Sequence, residues 1–210
     1  MDGVLADTEP LHGECFIRAF EQLGVHADLE HYRQAVTLGG STVRDYYLSL
    51  GGDPCDWDAL KAIKDPMLEE LVAEKGVLMP GVVDLLRALK SEGIPVAVAT
   101  SARRKTMSII LNRFGLWDFF DAFITKDNVE HEKPDPAVFL LAARKLGVDP
   151  ARCVVVEDSP RGVAAAERAG MKCLACPNPS TADGDFSGAT LVVASLEDVD
   201  VQTLRGLFTS

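Results

Sequence analysis

The chain has 210 residues, 25% of them charged, and a formal net charge of −11 at pH 7. This length is sufficient for one sizeable hydrophobic core, or for a core with a small inserted domain. The acidic balance disfavours nonspecific binding to nucleic acid or to anionic membranes. No apolar run approaches the ~20 residues of a membrane-spanning helix, and the opening residues lack the pattern of a secretory signal.

The five cysteines, an odd number at scattered spacings, do not form the pattern of a disulfide framework. Cys173 and Cys176 make a C-x-x-C pair, which is typical of redox or zinc sites. The pair lies in residues 172–176, which we predict as a strand, and residues three apart on a strand point to opposite faces. We therefore expect structural cysteines and a reducing, cytoplasmic location.

The first third of the sequence predicts helices and no clear strand. Leu11, Cys15 and Ala19 belong to an apolar pattern at helical spacing over residues 9–23, which Gly24 ends. Further helices are predicted over residues 25–36, from a cap at Ser41 or Thr42 to Leu50, and over residues 56–75. We therefore expect this stretch to form a separate helical domain.

After Met79, the sequence alternates between apolar strands and helices of about ten residues. Strands are predicted at residues 95–100, 121–125, 153–157, 172–176 and 191–193, and helices at residues 82–90, 101–114, 135–147 and 160–169. This alternation is typical of a parallel sheet with right-handed crossovers. The expected fold class is therefore α/β, with a parallel sheet.

The most informative stretch is a run of three valines at residues 154–156, followed by Glu157 and Asp158. The valines indicate a strand buried on both faces, and Ser159 and Pro160 provide an N-cap and a first-turn proline for a helix. Ligands of open α/β sheets bind beyond the carboxyl ends of the strands, where adjacent acids repel each other unless a cation or a basic group lies between them. Oxygen ligands of this kind suit Mg²⁺, and an acidic helix N-terminus explains the pair equally well.

Polar residues also follow another strand and occupy two loops. Thr100 and Ser101 lie between an apolar run and a helix, which indicates either an anion site or a simple N-cap. Lys133 lies beside prolines in a stiff loop, where it can neutralise a phosphate, pair with a carboxylate, or remain a solvated surface side chain. Asp2 precedes Gly3, which permits close approach of the backbone to a ligand.

These features, in this order, resemble the haloacid dehalogenase superfamily. The resemblance is to the branch with a small helical cap after the first motif, which includes β-phosphoglucomutase and many small-metabolite phosphatases. Residues 1–8, M-D-G-V-L-A-D-T, are similar to the first family motif, D-x-D-G-x-(V/L)-x-D-(T/S), from its second position onward. The resemblance covers the whole chain. It implies a Rossmann-like α/β core formed by residues 1–9 and 78–210, whose first strand is missing, with residues 10–77 inserted as an all-helical cap.

The resemblance also implies catalytic and metal-binding residues. Asp2 matches the general acid/base, whose backbone carbonyl also binds Mg²⁺. Thr100 matches the hydroxyl that holds the phosphoryl group, and Lys133 matches the lysine that bridges the phosphate and the nucleophile. Glu157 and Asp158 match the acidic pair of the metal site, and Asp158 is the expected direct ligand.

Further residues are implied to contact the phosphate or the substrate. His12 matches a histidine near the cap hinge of sugar-phosphate mutases, although a partly exposed helix histidine is an equally good reading. Arg44 is offset from the phosphate-binding arginine of the mutases, so that its role stays open. The full set implied for phosphate and substrate binding is Gly3, Thr8, His12, Gly39, Arg44, Ser101 and Ala102.

One departure from the family pattern concerns the nucleophile. The first aspartate of D-x-D would precede Met1, as would the apolar strand that carries it, and we interpret the sequence as N-terminally truncated. The implied mechanism needs that carboxylate to attack phosphorus and form an aspartyl-phosphate, while Asp2 protonates the leaving oxygen and then activates water. We therefore expect the chain as written to be inactive.

The function expected of the complete protein is a Mg²⁺-dependent phosphatase for a small phosphorylated metabolite, such as a sugar phosphate. A β-phosphoglucomutase-like phosphomutase uses the same core and is the first alternative. The second is a non-catalytic protein that binds phosphosugars. We expect a monomer without nucleic-acid or membrane partners.

Overall fold

The computed structural model describes residues 1–38 and 41–209, with Leu38 described by its backbone alone. The chain divides into two compact units. Met1–Asp7 and the chain from Val77 onward form an α/β unit, and Thr8–Gly76 forms a helical unit. The helical unit begins two residues before the predicted helical domain and ends one residue before it, and the function of this unit as a cap stays a prediction.

The helical unit contains four α-helices and two short helical turns in its described residues. The α-helices are α1 (Glu9–Gln22), α2 (Leu29–Tyr32), α3 (Val43–Ser49) and α4 (Trp57–Lys75), and the turns are the π-helical Arg33–Leu38 and the 3₁₀-helical Pro54–Asp56. Thr42 caps α3, because its hydroxyl accepts a hydrogen bond from the Asp45 N–H at 3.0 Å. The segment predicted as one or two helices is the single helix α4, which accommodates Pro66.

The core of the helical unit is rich in aromatic side chains. Phe20, Tyr32, Tyr46 and Tyr47 are buried together with Leu60. The rings of Phe20 and Tyr47 have centroids 4.9 Å apart. Aromatic side chains bury large apolar areas, so this unit stabilises itself with few residues.

The α/β unit contains short strands and helices in alternation. Its strands are β1 (Ala6–Asp7), β2 (Val77–Leu78), β3 (Ala97–Ala99), β4 (Ala122–Ile124), β5 (Val154–Glu157), β6 (Lys172–Ala175) and β7 (Leu191–Val192). Its helices are α5 (Val82–Ser91), α6 (Arg104–Phe114), α7 (Ala137–Leu146), α8 (Pro160–Arg168) and α9 (Val201–Gly206). None of the helices in the described chain is both long and apolar enough to cross a bilayer.

The strand pairing confirms the predicted α/β class with parallel sheets. β3 pairs in parallel with β4, and β5, β6 and β7 pair in parallel in that order. Two differences from the prediction are clear. Asp7 belongs to a strand, although the first third of the sequence predicts no clear strand, since β1 pairs antiparallel with β2. Within the described residues, β3 and β5 also belong to separate hydrogen-bonded sheets.

The predicted start of α6 at Ser101 is wrong. The Thr100 hydroxyl accepts a hydrogen bond from the Ala102 N–H at 3.0 Å, and this bond folds the chain after β3 into a turn. α6 therefore begins only at Arg104. Thr100 and Ser101 lie in a loop at the end of β3, and not in the first turn of a helix.

The expectation for the C-x-x-C pair is supported by the packing. Cys173 lies in the apolar cluster with residues of α7 and α8, whereas Cys176 lies in the cluster with residues of α5 and α9. The two thiols therefore pack in different hydrophobic clusters of the α/β unit. Burial raises the pKa of Cys173 to about 12, so this side chain is a protonated, apolar core residue near neutral pH.

Candidate active site

Lys133 connects the carboxyl ends of β3 and β5. The residue is 9% exposed, and its ammonium group donates to Glu157 Oε1 and lies 3.5 Å from the Ala99 carbonyl oxygen. The ammonium also lies 4.6 Å from the centroid of the Phe139 ring. Lys133 is therefore a buried, paired lysine rather than a solvated surface side chain.

The loop that carries Lys133 is held by two arginines of α8. The Arg161 guanidinium donates to the Lys133 carbonyl oxygen, and the Arg168 guanidinium donates to the Pro134 carbonyl oxygen at 2.7 Å. Because α8 follows β5 directly, the same helix positions both members of the Lys133–Glu157 ion pair.

Glu157 uses both carboxylate oxygens within the described protein. Oε1 accepts from Lys133, and Oε2 accepts from the Asp158 N–H and from the Ser159 hydroxyl, each at 3.2 Å. Burial acts to raise its pKa, but Lys133, the N-terminal ammonium of Met1 and these hydrogen bonds outweigh burial and keep the pKa of Glu157 below its usual value. Glu157 is therefore an ionised residue that organises the site.

Asp158 has a different environment from its neighbour. Its Oδ2 accepts a hydrogen bond from the Asn178 side-chain amide at 2.9 Å. Burial, followed by the negative charge of Glu157, raises the pKa of Asp158 to about 7. Two adjacent acids with separated pKa values are typical of functional sites.

Asn178 was missed in the sequence. It is 4% exposed and follows the carboxyl end of β6. The rule that selected Thr100, a polar residue soon after a strand, selects Asn178 as well. Cys176 and a proline separate it from β6, so that it does not follow the strand directly as Thr100 follows β3.

The first residues of the chain reach the same end of the sheets. The Thr100 hydroxyl lies 3.5 Å from Asp2 Oδ2. Gly3 has φ +66°, and a Cβ atom there would lie 1.9 Å from Asp158 Oδ2. Only glycine permits this approach. The structure thus brings Asp2, Gly3, Thr100 and Asp158 together with Lys133.

The other predicted site residues lie outside this group or already form hydrogen bonds within the protein. Ser101 is exposed, and the Ala102 N–H is used by Thr100. Thr8 and His12 belong to the helical unit, where Thr8 is fully buried at the N-cap of α1 and His12 is partly buried on that helix. The last two residues of the set are Arg44, which is exposed on α3, and Gly39, which lies outside the described residues.

The site offers oxygen donors without a preformed cage for a metal. In residues 1–38 and 41–209, no three His, Cys, Asp or Glu side chains form a group that holds a metal ion. Asp2 and Asp158 still provide carboxylate oxygens, and the Asp2 charge contributes to the raised pKa of Asp158. Such hard oxygen donors fit Mg²⁺. Glu157 fits a supporting position better than direct coordination, because its oxygens are occupied by protein donors.

Comparisons with known proteins agree on one family. The profile described as haloacid dehalogenase-like hydrolase matches residues 1–176. Hexitol phosphatase B of Escherichia coli is 31% identical over 211 residues, which cover 98% of this chain and 94% of that protein. A CbbY mutant from Rhodobacter sphaeroides, solved in complex with xylulose-(1,5)-bisphosphate, has a TM-score of 0.86 and 32% identity, with 97% of this chain and 96% of that chain covered.

A third relative shares the fold at lower identity. The crystal structure of β-phosphoglucomutase from Clostridium difficile has a TM-score of 0.81 and 21% identity, with 99% of this chain and 94% of that chain covered. The matched profile spans most of the sequence, and the first two relatives cover nearly all of it. The chain therefore belongs to the haloacid dehalogenase-like hydrolase family, in the branch that contains CbbY.

Proposed function

We propose that the protein is a Mg²⁺-dependent phosphatase for sugar phosphates. The observation that carries this proposal is the meeting of Lys133, Thr100, Asp2 and Asp158 at the carboxyl ends of β3 and β5. This edge is where open α/β sheets bind ligands. The relatives named for a hexitol phosphatase and for a xylulose bisphosphate complex support a sugar phosphate as the substrate class.

The roles of the residues follow from their chemistry. Lys133 and Thr100 donate hydrogen bonds to phosphoryl oxygens, since an ammonium group and a hydroxyl are good donors for such anions. Asp2, beside Thr100, protonates the leaving oxygen and later takes a proton from water. Asp158 and the Asp2 carbonyl would hold Mg²⁺, and Glu157 keeps Lys133 in place. When bound, Mg²⁺ neutralises negative charge on the phosphoryl oxygens.

The covalent route through an aspartyl-phosphate needs one more carboxylate, at the position directly before Met1. The N-terminal ammonium of Met1 is close enough to the acidic pair to help keep the pKa of Glu157 low and to oppose, in part, the rise in the pKa of Asp158. A residue joined to Met1 therefore begins at the same end of β5. We propose that the chain of 210 residues binds phosphate ligands, and that turnover requires an aspartate at this preceding position.

The test compares two N-terminal extensions that differ in one residue. Both add a short apolar segment before Met1, one ending in aspartate and the other in asparagine. With Mg²⁺ and xylulose 1,5-bisphosphate or a hexitol phosphate, we expect phosphate release by the aspartate form alone. Equal release by both forms would disprove the covalent route.

The same proteins distinguish the alternative functions. Conversion of β-glucose 1-phosphate to glucose 6-phosphate, without free phosphate, would replace the phosphatase by a phosphomutase. Tight binding of these sugar phosphates without turnover by the aspartate form, measured by isothermal titration, would indicate a non-catalytic binding protein.

A further inference from the structure

Asp158 and Asn178 meet beyond the carboxyl ends of two neighbouring strands. β5 and β6 pair in parallel up to Glu157 and Ala175, and the two polar residues follow these strand ends. The Asn178 side-chain amide donates to Asp158 Oδ2 at 2.9 Å. Within residues 1–38 and 41–209, no other residue donates a hydrogen bond to this carboxylate. The protein therefore uses one oxygen of Asp158 and leaves Oδ1 for a ligand.

The orientation of the Asn178 amide is fixed by its own loop. Asn178 Oδ1 accepts from the Ser180 N–H at 2.8 Å, and the Asn178 N–H donates to Thr181 Oγ1 at 3.1 Å. Because Oδ1 is bound to the loop backbone, the amide presents its NH₂ group to Asp158. Rotation of the amide would break both side-chain bonds in a residue that is only 4% exposed, and unpaired buried groups are unfavourable.

Gly3 packs against the same hydrogen bond. A Cβ atom at this position would lie 1.9 Å from Asp158 Oδ2 and 2.6 Å from Asn178 Nδ2. The backbone of the N-terminal turn therefore covers the side of the carboxylate that Asn178 holds. Oδ2 is bonded on one side and covered on another, whereas Asp158 as a whole remains partly exposed.

The number of oxygens that a carboxylate offers affects which divalent cation it binds. Mg²⁺ requires near-ideal octahedral coordination, whereas Ca²⁺ tolerates irregular coordination and accepts carboxylates through one oxygen or through two. Hydrogen-bond partners of a metal ligand orient that ligand, and their loss typically lowers metal affinity by roughly 10- to 100-fold. A carboxylate whose second oxygen is held by the protein therefore suits Mg²⁺ better than Ca²⁺.

We propose that Asn178 is a positioning residue, which holds Asp158 Oδ2 so that Asp158 offers one oxygen to a divalent cation and the site favours Mg²⁺ over Ca²⁺. This inference rests on the proposed function, in which Asp158 is a ligand of Mg²⁺. Without the amide of Asn178, the carboxylate would be free to turn and to offer both of its oxygens.

The experiment measures the dissociation constants of Mg²⁺ and Ca²⁺ for the full chain by NMR titration, followed at the amides of Gly3 and Asp158. Asn178→Ser removes the amide donor but keeps a hydroxyl that can accept from the Ser180 N–H, so the turn of the loop is retained. We expect Mg²⁺ affinity to fall by roughly tenfold. Ca²⁺ affinity should change by less than about threefold, because Ca²⁺ tolerates the freed carboxylate.

Ser180→Ala is the matched control. Ser180 contributes its backbone N–H to this network, and alanine keeps that group. Both affinities should equal those of the unsubstituted chain. The titrated signals come from folded molecules, so partial unfolding of a variant does not alter the measured constants. A merely structural role of Asn178 would lower stability without changing the ratio of the two affinities.

Unchanged Mg²⁺ affinity in Asn178→Ser, or an equal loss for Mg²⁺ and Ca²⁺, would overturn the inference and leave the phosphatase proposal standing. Absence of Mg²⁺ binding by the unsubstituted chain would overturn the assignment of Asp158 together with this inference. Failure of the phosphatase proposal is recognised separately, by an aspartate-extended chain that binds Mg²⁺ with the expected preference and releases no phosphate.

Discussion

At the scale of single residues, the Lys133–Glu157 ion pair dominates the candidate site. Both side chains are buried, and a buried charge without its partner is strongly unfavourable. The sequence identified each residue at the end of a strand or in a stiff loop. It did not predict the pair, because Lys133 and Glu157 are brought together only by the packing of α8 against the Lys133 loop.

Lys133→Ala should lower the free energy of unfolding by about 3–5 kcal/mol, because it leaves Glu157 buried and unpaired. Lys126→Ala is the control, since Lys126 pairs with Glu132 at 3.8 Å in a more exposed position and should cost at most about 1 kcal/mol. Urea unfolding measures both values. The double variant Lys133→Met with Glu157→Gln should lose less than Lys133→Ala, and a larger loss would contradict this account.

The cysteines allow a test that depends on pKa. Burial raises the pKa of Cys15 to about 11 and that of Cys173 to about 12. A raised pKa lowers the thiolate fraction at every pH below it, and the thiolate is the reactive form. A thiol reagent at pH 8 should therefore modify the exposed Cys55 first, as measured by mass spectrometry. Rapid native-state labelling of Cys173 would contradict the described burial.

Asp53 provides a matched variant for the reactive thiol. A hydrogen bond to Asp53, and then the charge of that carboxylate, raises the pKa of Cys55. Asp53→Asn removes the charge and keeps an oxygen that can accept from the Cys55 N–H. Labelling of Cys55 should become faster, with no change at Cys15. A slower reaction would show that the Asp53 charge does not control this thiol.

At the scale of elements, β5 and α8 follow the sequence closely. Ser159 caps α8, since its hydroxyl accepts from the Gly162 N–H at 3.2 Å, and Pro160 occupies the first turn. These positions are predictable because capping is decided by neighbours in sequence. The start of α6 was not predictable in this way. Several residues after Thr100 are able to begin a helix, and the hydrogen bond from Ala102 to Thr100 selects a later start.

Gly162 shows how α8 depends on the site beneath it. A Cβ atom at this position would lie 2.0 Å from the carboxyl carbon of Glu157. Gly162→Ala should therefore displace the ion pair and destabilise the protein by about 1–3 kcal/mol, as overpacking of a core does. Thermal or urea unfolding measures the loss.

Gly206 in α9 is the control glycine. A Cβ atom there meets no atom within 4 Å. Gly206→Ala should be neutral, or should stabilise the protein by about 0.5–1 kcal/mol, because alanine has less backbone freedom to lose. If both alanine variants unfold alike, the contact between α8 and Glu157 is not what requires Gly162.

At the scale of the whole molecule, the alternation of strands and helices predicted the parallel α/β architecture. It did not predict that β3–β4 and β5–β7 would be separate sheets. Periodicity identifies strands but gives no information on which strands are neighbours. The helical unit was equally clear from its apolar spacing, whereas the π-helical turn Arg33–Leu38 leaves no comparable signal.

The overall charge leads to a prediction about partners. With a net charge of −11 and a sequence pI of about 4.8, the protein should not bind duplex DNA at physiological salt, since phosphate backbones attract basic surfaces. Fluorescence anisotropy with a labelled duplex measures this. Salt-sensitive binding would reveal a basic surface that the net charge conceals.

The number of N–H bonds on the Lys133 ammonium limits how this side chain can bind a ligand. An ammonium group carries three N–H bonds. In the described structure, Glu157 and the Ala99 carbonyl account for two of them. The third N–H bond can donate to one oxygen of a bound anion. Its direction is fixed by the two N–H bonds that the protein already uses. Glu157 already balances the positive charge of Lys133. Selection of a ligand at this position therefore depends more on the orientation of the free N–H bond than on electrostatic attraction. On the proposed function, a phosphoryl group would offer one oxygen to that bond and another to the Thr100 hydroxyl.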